Sequence, residues 1–238
     1  MLKDIHIHIH IHMSMQMKSE MDTLRLLQLS SATLPVGAFS FSQGLEYAID
    51  QQWLNSVNGV YDWLEVSLLE SMAYLDVPVL LRMKKAVKNK APKDFFYWSD
   101  YLLASRESSE MFMAEKNMGV AMFRLLKNLD LDISDFTPET PSFLAGYALA
   151  SSQWALSDQQ SMQGYLWSWL ENQVSAASKL LPMGQTQSQK MLLGVSTNIP
   201  KAMDVANTLS DEDIGSSLPK MAMASAWHET QYSRLFRS

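Results

Sequence analysis

Apolar residues recur at helical spacing along almost the whole chain, and this pattern limits the fold more than any other feature. Residues three, four and seven positions apart fall on one face of an α-helix, which can then be buried. No stretch after Met17 shows the sustained alternation of a half-buried strand. We therefore expect an all-α protein. The clearest apolar stripes are Val57, Tyr61, Leu64, Leu68 and Leu75; Met111, Phe112, Met118, Met122, Leu125 and Leu126; and Tyr165, Leu166, Trp169, Leu170, Val174 and Ala177.

Prolines and capping residues divide these stripes into separate helices. Asp76 is followed two residues later by proline, which predicts a helix start, and Pro92 and Pro219 predict two others. Ser157 predicts the N-cap of a long helix that ends near Leu181, where a proline follows. With no internal repeat and no long linker, we expect residues 21–238 to form a single all-α bundle of about eight to ten helices.

Two further stretches have the spacing of a capping box, in which a serine and a residue three positions later cap a helix start. One is formed by Ser40 and Gln43 and the other by Ser210–Asp213. Both stretches predict a helix start, and the paired carboxylates Asp211 and Asp213 are then expected to complement the helix dipole.

The first residues differ from the rest of the chain. Four histidines, at positions 6, 8, 10 and 12, alternate with isoleucines. This pattern is typical of an expression tag or a disordered leader, and we exclude residues 1–20 from the functional argument. Of the five histidines, only His228 then remains, and the chain has no cysteine. A conventional Cys/His metal site is therefore not expected.

Composition narrows the function further. Hydrophobic residues make up 47% and charged residues 18% of the chain, and the formal net charge is −6. The negative balance argues against nucleic-acid binding, which needs a basic field. The longer apolar runs are interrupted by charged residues, so no membrane helix is expected. The lack of cysteine fits a reducing compartment, and we expect a cytoplasmic protein.

The motifs of several enzyme classes are missing. There is no Gly-Lys pair and hence no P-loop, no G-x-G-x-x-G and no G-x-S-x-G. His228 and Glu229 begin like a zinc-protease H-E-x-x-H, but Tyr232 stands in the place of the second histidine. A general base needs a nucleophile and an orienting group around it, so we interpret His228 as a single histidine on a terminal helix. We expect no enzymatic activity and no cofactor.

Three segments carry residues that a helical core does not need. Leu24–Tyr47 reads LRLLQLSSATLPVGAFSFSQGLEY, with a turn at Leu-Pro-Val-Gly and two phenylalanines in a polar stretch. Lys179–Gln185 reads KLLPMGQ, and the C-terminal segment reads HETQYSRLFRS. Tyrosine and arginine are enriched at binding hot spots. Together the three segments resemble the UreF family of urease accessory proteins, and the resemblance runs from about Leu24 to Ser238.

The resemblance implies an all-α homodimer that binds UreD (also called UreH) and recruits the GTPase UreG. The assembly would deliver nickel to apo-urease, with UreE as nickel donor. Glu46 and Lys179 match family positions on the UreG-facing surface, and we expect Glu46 to be an exposed charge at the rim of that contact. Residues in the C-terminal segment match a tail expected to order against UreD. The predicted partner-binding residues are Ser42, Gln43, Glu46, Lys179, Tyr232, Arg234, Phe236 and Arg237.

Two alternatives remain open at this point. One is a direct nickel chaperone, for which only His228 could supply the imidazole that nickel favours, unless carboxylates or a dimer complete the site. The other is a helical hydrolase or lyase with an unrecognised site, which would need carboxylates clustered with Lys179 or His228 in one pocket.

Overall fold

The computed structural model describes residues 20–237. Residues 1–19, which hold the isoleucine–histidine leader, and Ser238 lie outside this range. Helices, turns and loops make up the described residues, and none of them is in a strand. The predicted all-α fold is confirmed. No helix within this range has both the length and the apolar composition needed to cross a bilayer.

The helices are numbered in chain order, and residues 20–29 form the described part of α1. The others are α2 (Leu45–Asp50), α3 (Val57–Val66), α4 (Asp76–Lys88), α5 (Pro92–Ala104), α6 (Ser109–Asn128), α7 (Phe143–Gln153), α8 (Asp158–Leu180), α9 (Gln185–Ser196), α10 (Ile199–Thr208) and α11 (Pro219–His228). A π-helical segment, Ser67–Met72, continues α3, and short 3-10 turns form at Ala38–Ser40 and Asp211–Asp213.

Several predicted helix ends coincide with observed ones. α4 begins at Asp76, and α5 and α11 begin at the predicted prolines. The Ser157 side chain accepts a hydrogen bond from the Gln160 backbone N–H, and the Gln160 side chain accepts one from the Ser157 N–H. This reciprocal cap starts α8, which ends at Leu180, one residue before the predicted end.

The predicted capping box at Ser40 and Gln43 is wrong. α2 begins later, at Leu45, and its N-cap is Gly44, which makes no side-chain cap. The Gln43 side chain instead accepts a hydrogen bond from the Trp169 indole N–H on α8, at 2.9 Å. Gln43 therefore ties the turn before α2 to the long helix and does not start a helix itself.

The predicted helix start at Ser210 is also wrong. The Ser210 hydroxyl donates to the Asp213 carboxylate, at 2.7 Å, and caps no backbone N–H. Asp211 pairs with Arg82 on α4, at 2.8 Å. After a single 3-10 turn the chain is extended at Ile214. The side chains are thus used in other contacts, and no helix dipole forms for the carboxylates to complement.

α4 and α7 lie side by side in the middle of the bundle. Every residue of α7 from position 144 to 151 is buried, as expected for a helix surrounded by others. α5 covers α4, and α6 packs along α7. A Cβ on Gly119 of α6 would lie 2.3 Å from the backbone O of Pro141, so glycine lets α6 approach the chain that leads into α7.

Candidate functional site

The three segments that carry the family resemblance are far apart in sequence but close together in the fold. α11 packs against α2, and α8 passes the same end of α2. Residues 229–237 follow α11 and are called the C-terminal tail below. The tail folds back over the turn before α2, where the backbone N–H of Arg237 donates to the backbone O of Ser40, at 2.9 Å.

The contact between α2 and α11 depends on a glycine. Gly44 has φ 81°, in the left-handed region that most side chains avoid. A Cβ at this position would also lie 2.8 Å from the backbone N of Ser225 on α11. Any larger residue would push the two helices apart, and the start of α2 is held where its first turn can reach the tail.

Glu46, in that first turn, binds the backbone of the tail. Its carboxylate accepts the N–H of Leu235 at 2.6 Å and of Phe236 at 2.9 Å. The His228 Nε2 lies 3.0 Å from the same carboxylate. The Glu46 residue is only 6% exposed. The expectation of an exposed rim charge at Glu46 is therefore wrong, because the tail covers the carboxylate.

The other ring nitrogen of His228 faces a second carboxylate. His228 Nδ1 lies 2.8 Å from Oε2 of Glu110, in the first turn of α6. Arg234 Nη1 donates to the other oxygen of Glu110, also at 2.8 Å. Glu46, Glu110, His228 and Arg234 together form what we call the tail clasp. When His228 is protonated, the positive charges of His228 and Arg234 balance the negative charges of Glu46 and Glu110.

The arrangement favours the protonated form of His228. A neutral imidazole donates from one nitrogen only, and its other lone pair would face a carboxylate. Burial by itself would lower the pKa of His228, but hydrogen bonds to Glu110 and Glu46 outweigh it. The pKa of His228 is therefore raised above its ordinary value, and the imidazolium donates to both carboxylates.

The tail is also fixed where it leaves α11. The Glu229 carboxylate accepts the backbone N–H of Ser109 at 3.0 Å and of Glu110 at 3.3 Å. These N–H groups belong to the first turn of α6, which a negative charge stabilises. The Ser108 hydroxyl caps the same helix end and lies 2.7 Å from the Ser225 hydroxyl. α6, α11 and the tail are thus joined at one point.

The remaining predicted residues fall into two groups. Phe236 and Ser42 are buried, and Lys179, in the last turn of α8, places its ammonium 5.5 Å from the centre of the Phe236 ring. Tyr232 and Arg237 are exposed, and Tyr232 is as open to solvent as a free side chain. The structure therefore brings Glu46, Lys179 and Phe236 together, whereas the Tyr232 side chain is fully open to solvent.

A cluster of aromatic rings lies beside the tail. Tyr47, Trp53 and Trp227 contact one another with ring centres 5.6–5.8 Å apart. Trp53 is 38% and Trp227 47% exposed. Together with the exposed tail residue Tyr232, which lines one cleft with Tyr47 and Trp227, these three rings make what we call the aromatic face. An exposed group of large apolar side chains of this kind is typical of a protein-binding surface.

Sequence reasoning missed Glu110 and gave His228 too small a role. One signal for His228 was present: it shares the buried face of α11 with Met221, Ala224 and Ser225, at helical spacing. A histidine on a buried face needs partners for both nitrogens. Glu110 gave no such signal, because an acidic residue in a first helix turn is common.

A second charged cluster lies inside the bundle. Arg106 Nη2 lies 2.6 Å from Asp76 and 2.8 Å from Glu115, and the Tyr165 hydroxyl donates to Asp76 at 2.9 Å. Glu115 also accepts the backbone N–H of Leu144. The side chains of Asp76, Arg106 and Glu115 are each at most 10% exposed. We call Asp76, Arg106, Glu115 and Tyr165 the core cluster.

The geometry does not bring metal ligands together. Among residues 20–237, no group of three or more histidine or acidic residues is placed to hold a metal ion. The nearest approach to one is the tail clasp, where Glu46 and Glu110 lie on opposite sides of the His228 ring. Their oxygens therefore cannot converge on a single ion together with one ring nitrogen.

Known proteins similar to this chain share one description. The UreF family model matches residues 54–196. A protein described as urease accessory protein UreF in Marinomonas sp. (strain MWYL1) is 44% identical over 220 residues, which cover 92% of this chain and 96% of that protein. The protein of the same description in Alkalilimnicola ehrlichii is 44% identical over 218 residues, covering 90% of this chain and 95% of that protein.

A third relative, from Teredinibacter turnerae, carries the same description and is 42% identical over 217 residues, covering 90% of this chain and 98% of that protein. The matches to these relatives cover nearly the full length of each relative. The match to the family model, in contrast, begins after Glu46 and ends before the tail. The agreement of these comparisons with the three sequence segments shows that the chain belongs to the UreF family of urease accessory proteins.

Proposed function

We propose that this chain acts as a scaffold and regulator in a complex with UreD and UreG that inserts nickel into apo-urease. It does so as a cytoplasmic homodimer without catalysis of its own. The observation that carries the proposal is the tail. Its backbone is held by Glu46, while Tyr232 and Leu235 remain exposed, and Tyr232 lines a cleft together with Trp227. Such an ordered apolar surface is suited to binding another protein.

The tail and the aromatic face form the surface for UreD. A cleft of about 650 Å³ opens beside the tail and is lined by Ser40, Met113, Arg234 and Arg237 among others. A tyrosine or tryptophan that becomes desolvated at the centre of an interface contributes more than charges at its rim. Because the clasp already orders the tail backbone, binding loses less conformational entropy than it would with a free tail.

The surface for UreG lies near Lys179. This residue is exposed, and its charge can set the approach and register of a partner more than the affinity. Glu46 is covered by the tail and cannot pair directly with the GTPase. We assign Glu46 as a positioning residue, which acts on recruitment through the tail that it holds.

The two alternatives receive less support. A nickel chaperone needs donors that converge, and both nitrogens of the buried His228 already face carboxylates. A hydrolase would need a histidine able to accept a proton, and the same two contacts occupy it. Tight nickel binding by protein without the isoleucine–histidine leader, or substrate turnover by the purified chain, would restore one or the other.

Co-purification and urease activation test the proposal together. In cells lacking this protein, the wild type should restore urease activity and capture UreD and UreG. Tyr232→Ala combined with Leu235→Ala should lose UreD, and a deletion of the tail should lose both partners. Glu46→Ala and Lys179→Ala should reduce capture of UreG and urease activation.

The matched control is Leu193→Ala on α9, which also removes a large exposed apolar side chain, 70% exposed, but lies outside the tail and the aromatic face. It should leave capture and activation unchanged. If the folded wild-type chain captured neither partner, or if the tail deletion activated urease normally, the proposal would fail.

A further inference from the structure

Positive charge is concentrated in one part of the chain. The chain as a whole has 19 Lys and Arg against 25 Asp and Glu. Between positions 82 and 93, however, there is no acidic residue, and half of the residues are basic. The basic residues of this segment are Arg82, Lys84, Lys85, Lys88, Lys90 and Lys93. A strongly acidic protein thus carries a local field of the opposite sign.

The second half of α4 lines an open cleft of about 890 Å³, whose other wall is formed by the end of α7, the loop that follows it and the start of α8. Two carboxylates, Asp158 and Asp211, also line the cleft. Lys85 and Lys88 stand on the α4 side of this cleft and are exposed. The apolar side chains of Leu81, Val87 and Leu156 line it as well, and each is at least partly buried. We call this region the basic cleft.

Two of its cations already have structural partners. Arg82 pairs with Asp211 and donates to the backbone O of Leu209. The buried Lys84 ammonium donates to Ser161 and to the backbone O of Leu156, and it pairs with Asp158 at 3.2 Å. Both residues therefore hold the loops that shape the cleft and have little capacity left for a ligand.

Lys85 and Lys88 are different. Within residues 20–237, neither makes an ion pair or a side-chain hydrogen bond. Lysines in the last turn of a helix complement the carbonyls exposed there, which explains two positive charges at the end of α4. It does not explain why they flank a concave, partly apolar surface.

We propose that the basic cleft docks a short acidic segment of a partner protein, with an apolar side chain seated on Leu81 and Val87 and carboxylates paired with Lys85 and Lys88. A protein segment is favoured over nucleic acid for two reasons. The net charge of −6 repels a long polyanion outside the cleft. The apolar side chains of Leu81 and Val87, which form the floor of the cleft, make no favourable contact with a phosphate backbone. The cleft shares no residue with the tail clasp or the aromatic face.

The test uses a short fluorescein-labelled peptide of glutamates with two leucines, titrated with the full chain at low salt and followed by fluorescence anisotropy. Lys85→Glu combined with Lys88→Glu should weaken binding at least about tenfold, because two attractions become two repulsions. The matched control reverses two exposed lysines elsewhere, Lys190→Glu with Lys201→Glu, and should stay within about twofold of the wild type. Circular dichroism checks that each variant is folded.

A second pair of measurements tests the apolar floor. Leu81→Ala should weaken binding of the peptide with leucines but not of a peptide of glutamates alone. An absence of binding by the wild type, or equal losses in the cleft and control variants, would overturn the proposal. So would tighter binding of a single-stranded oligonucleotide of the same charge. Capture of UreD through the tail is measured separately, so the two proposals can fail independently.

Discussion

The core cluster and the tail clasp are built from similar parts but hold different things. In each, a glutamate from α6 and a second carboxylate share a cation: Glu115 and Asp76 share Arg106, and Glu110 and Glu46 share His228. The core cluster joins α4, α6 and α8 through Arg106, which lies in the loop between α5 and α6. The clasp also holds the tail, which has no helix and no strand of its own.

The two clusters differ in whether the charge of the shared cation depends on pH. Arginine stays charged at every pH that a folded protein meets, so the core cluster cannot be switched by protonation of its cation. The clasp depends on a histidine and on Arg234, whose side chain is 36% exposed. The molecule therefore uses a permanent charge alone in the core cluster, and adds a titratable one where the tail is held.

The largest effect is expected in the core cluster. Arg106→Met should lower the free energy of unfolding by about 3–5 kcal/mol, because it leaves two buried carboxylates without their cation. Urea unfolding followed by circular dichroism measures this loss. Arg124→Met removes an exposed arginine from α6 and should change the same quantity by less than about 0.5 kcal/mol. Equal costs for the two variants would contradict the assigned role of the core cluster.

A change in the clasp should release the tail more than it destabilises the bundle. Glu46→Gln removes the charge that faces His228 and weakens the acceptor for two tail N–H groups. We expect a loss of about 1–3 kcal/mol in unfolding free energy. Amide hydrogen exchange at Leu235 and Phe236 should become much faster, while exchange in α4 and α7 stays slow.

Glu212→Gln serves as the control, since Glu212 is exposed and belongs to neither cluster. It should leave tail exchange unchanged. Slow exchange at Leu235 in Glu46→Gln would show that the tail is held by something other than the clasp.

The clasp should weaken as pH rises. Three charged groups face or adjoin His228: Glu46 from α2, Glu110 from α6 and Arg234 from the tail. Because the pKa of folded His228 lies above the ordinary 6.5, its stabilising contribution is complete below about pH 6.5 and is lost as pH rises through the folded pKa. NMR titration of the His228 ring gives that pKa directly.

The amide resonances of Leu235 and Phe236 should move toward unfolded positions in the same pH range. Glu110→Gln should shift the His228 titration to lower pH, because it removes one of the two carboxylates. A His228 pKa below 6.5 in the wild type would contradict a protonated clasp.

Local signals predicted much of the fold. The start of α8 follows from Ser157, and the starts of α4 and α5 follow from a proline in the first turn. The capping boxes at Ser40 and Ser210 failed, because a serine hydroxyl and a glutamine amide have partners beyond the helix start. Tertiary packing gives Gln43 the Trp169 indole as its partner, whereas Ser210 donates locally to the Asp213 carboxylate.

The site was predictable in some of its residues but not in its geometry. Family resemblance pointed to Glu46, Lys179 and the tail, yet gave no indication that the tail lies on Glu46. That contact joins residues 190 positions apart. It also depends on Gly44, whose close approach to α11 can be recognised only once both helices are placed.

The smallest effect on the free energy of unfolding is expected at Lys179, and it gives the finest distinction between the core cluster and the tail clasp. The ammonium of Lys179 lies over the Phe236 ring on the outer side of the clasp, and an exposed contact of this kind contributes about 0.5–1 kcal/mol. Lys179→Met keeps the length of the side chain but removes the charge. The free energy of unfolding in urea should therefore change by less than about 1 kcal/mol in Lys179→Met. Lys179→Arg, which keeps the positive charge, should match the wild type.

Tail exchange should rise only slightly in Lys179→Met, since Glu46, Glu110 and His228 remain in place. Capture of UreG should nevertheless fall if Lys179 is part of the UreG-facing surface. A variant that holds the tail and still loses UreG would show that recruitment needs this charge itself as well as the ordered tail. Normal capture by Lys179→Met would leave the tail as the whole of the recruiting surface.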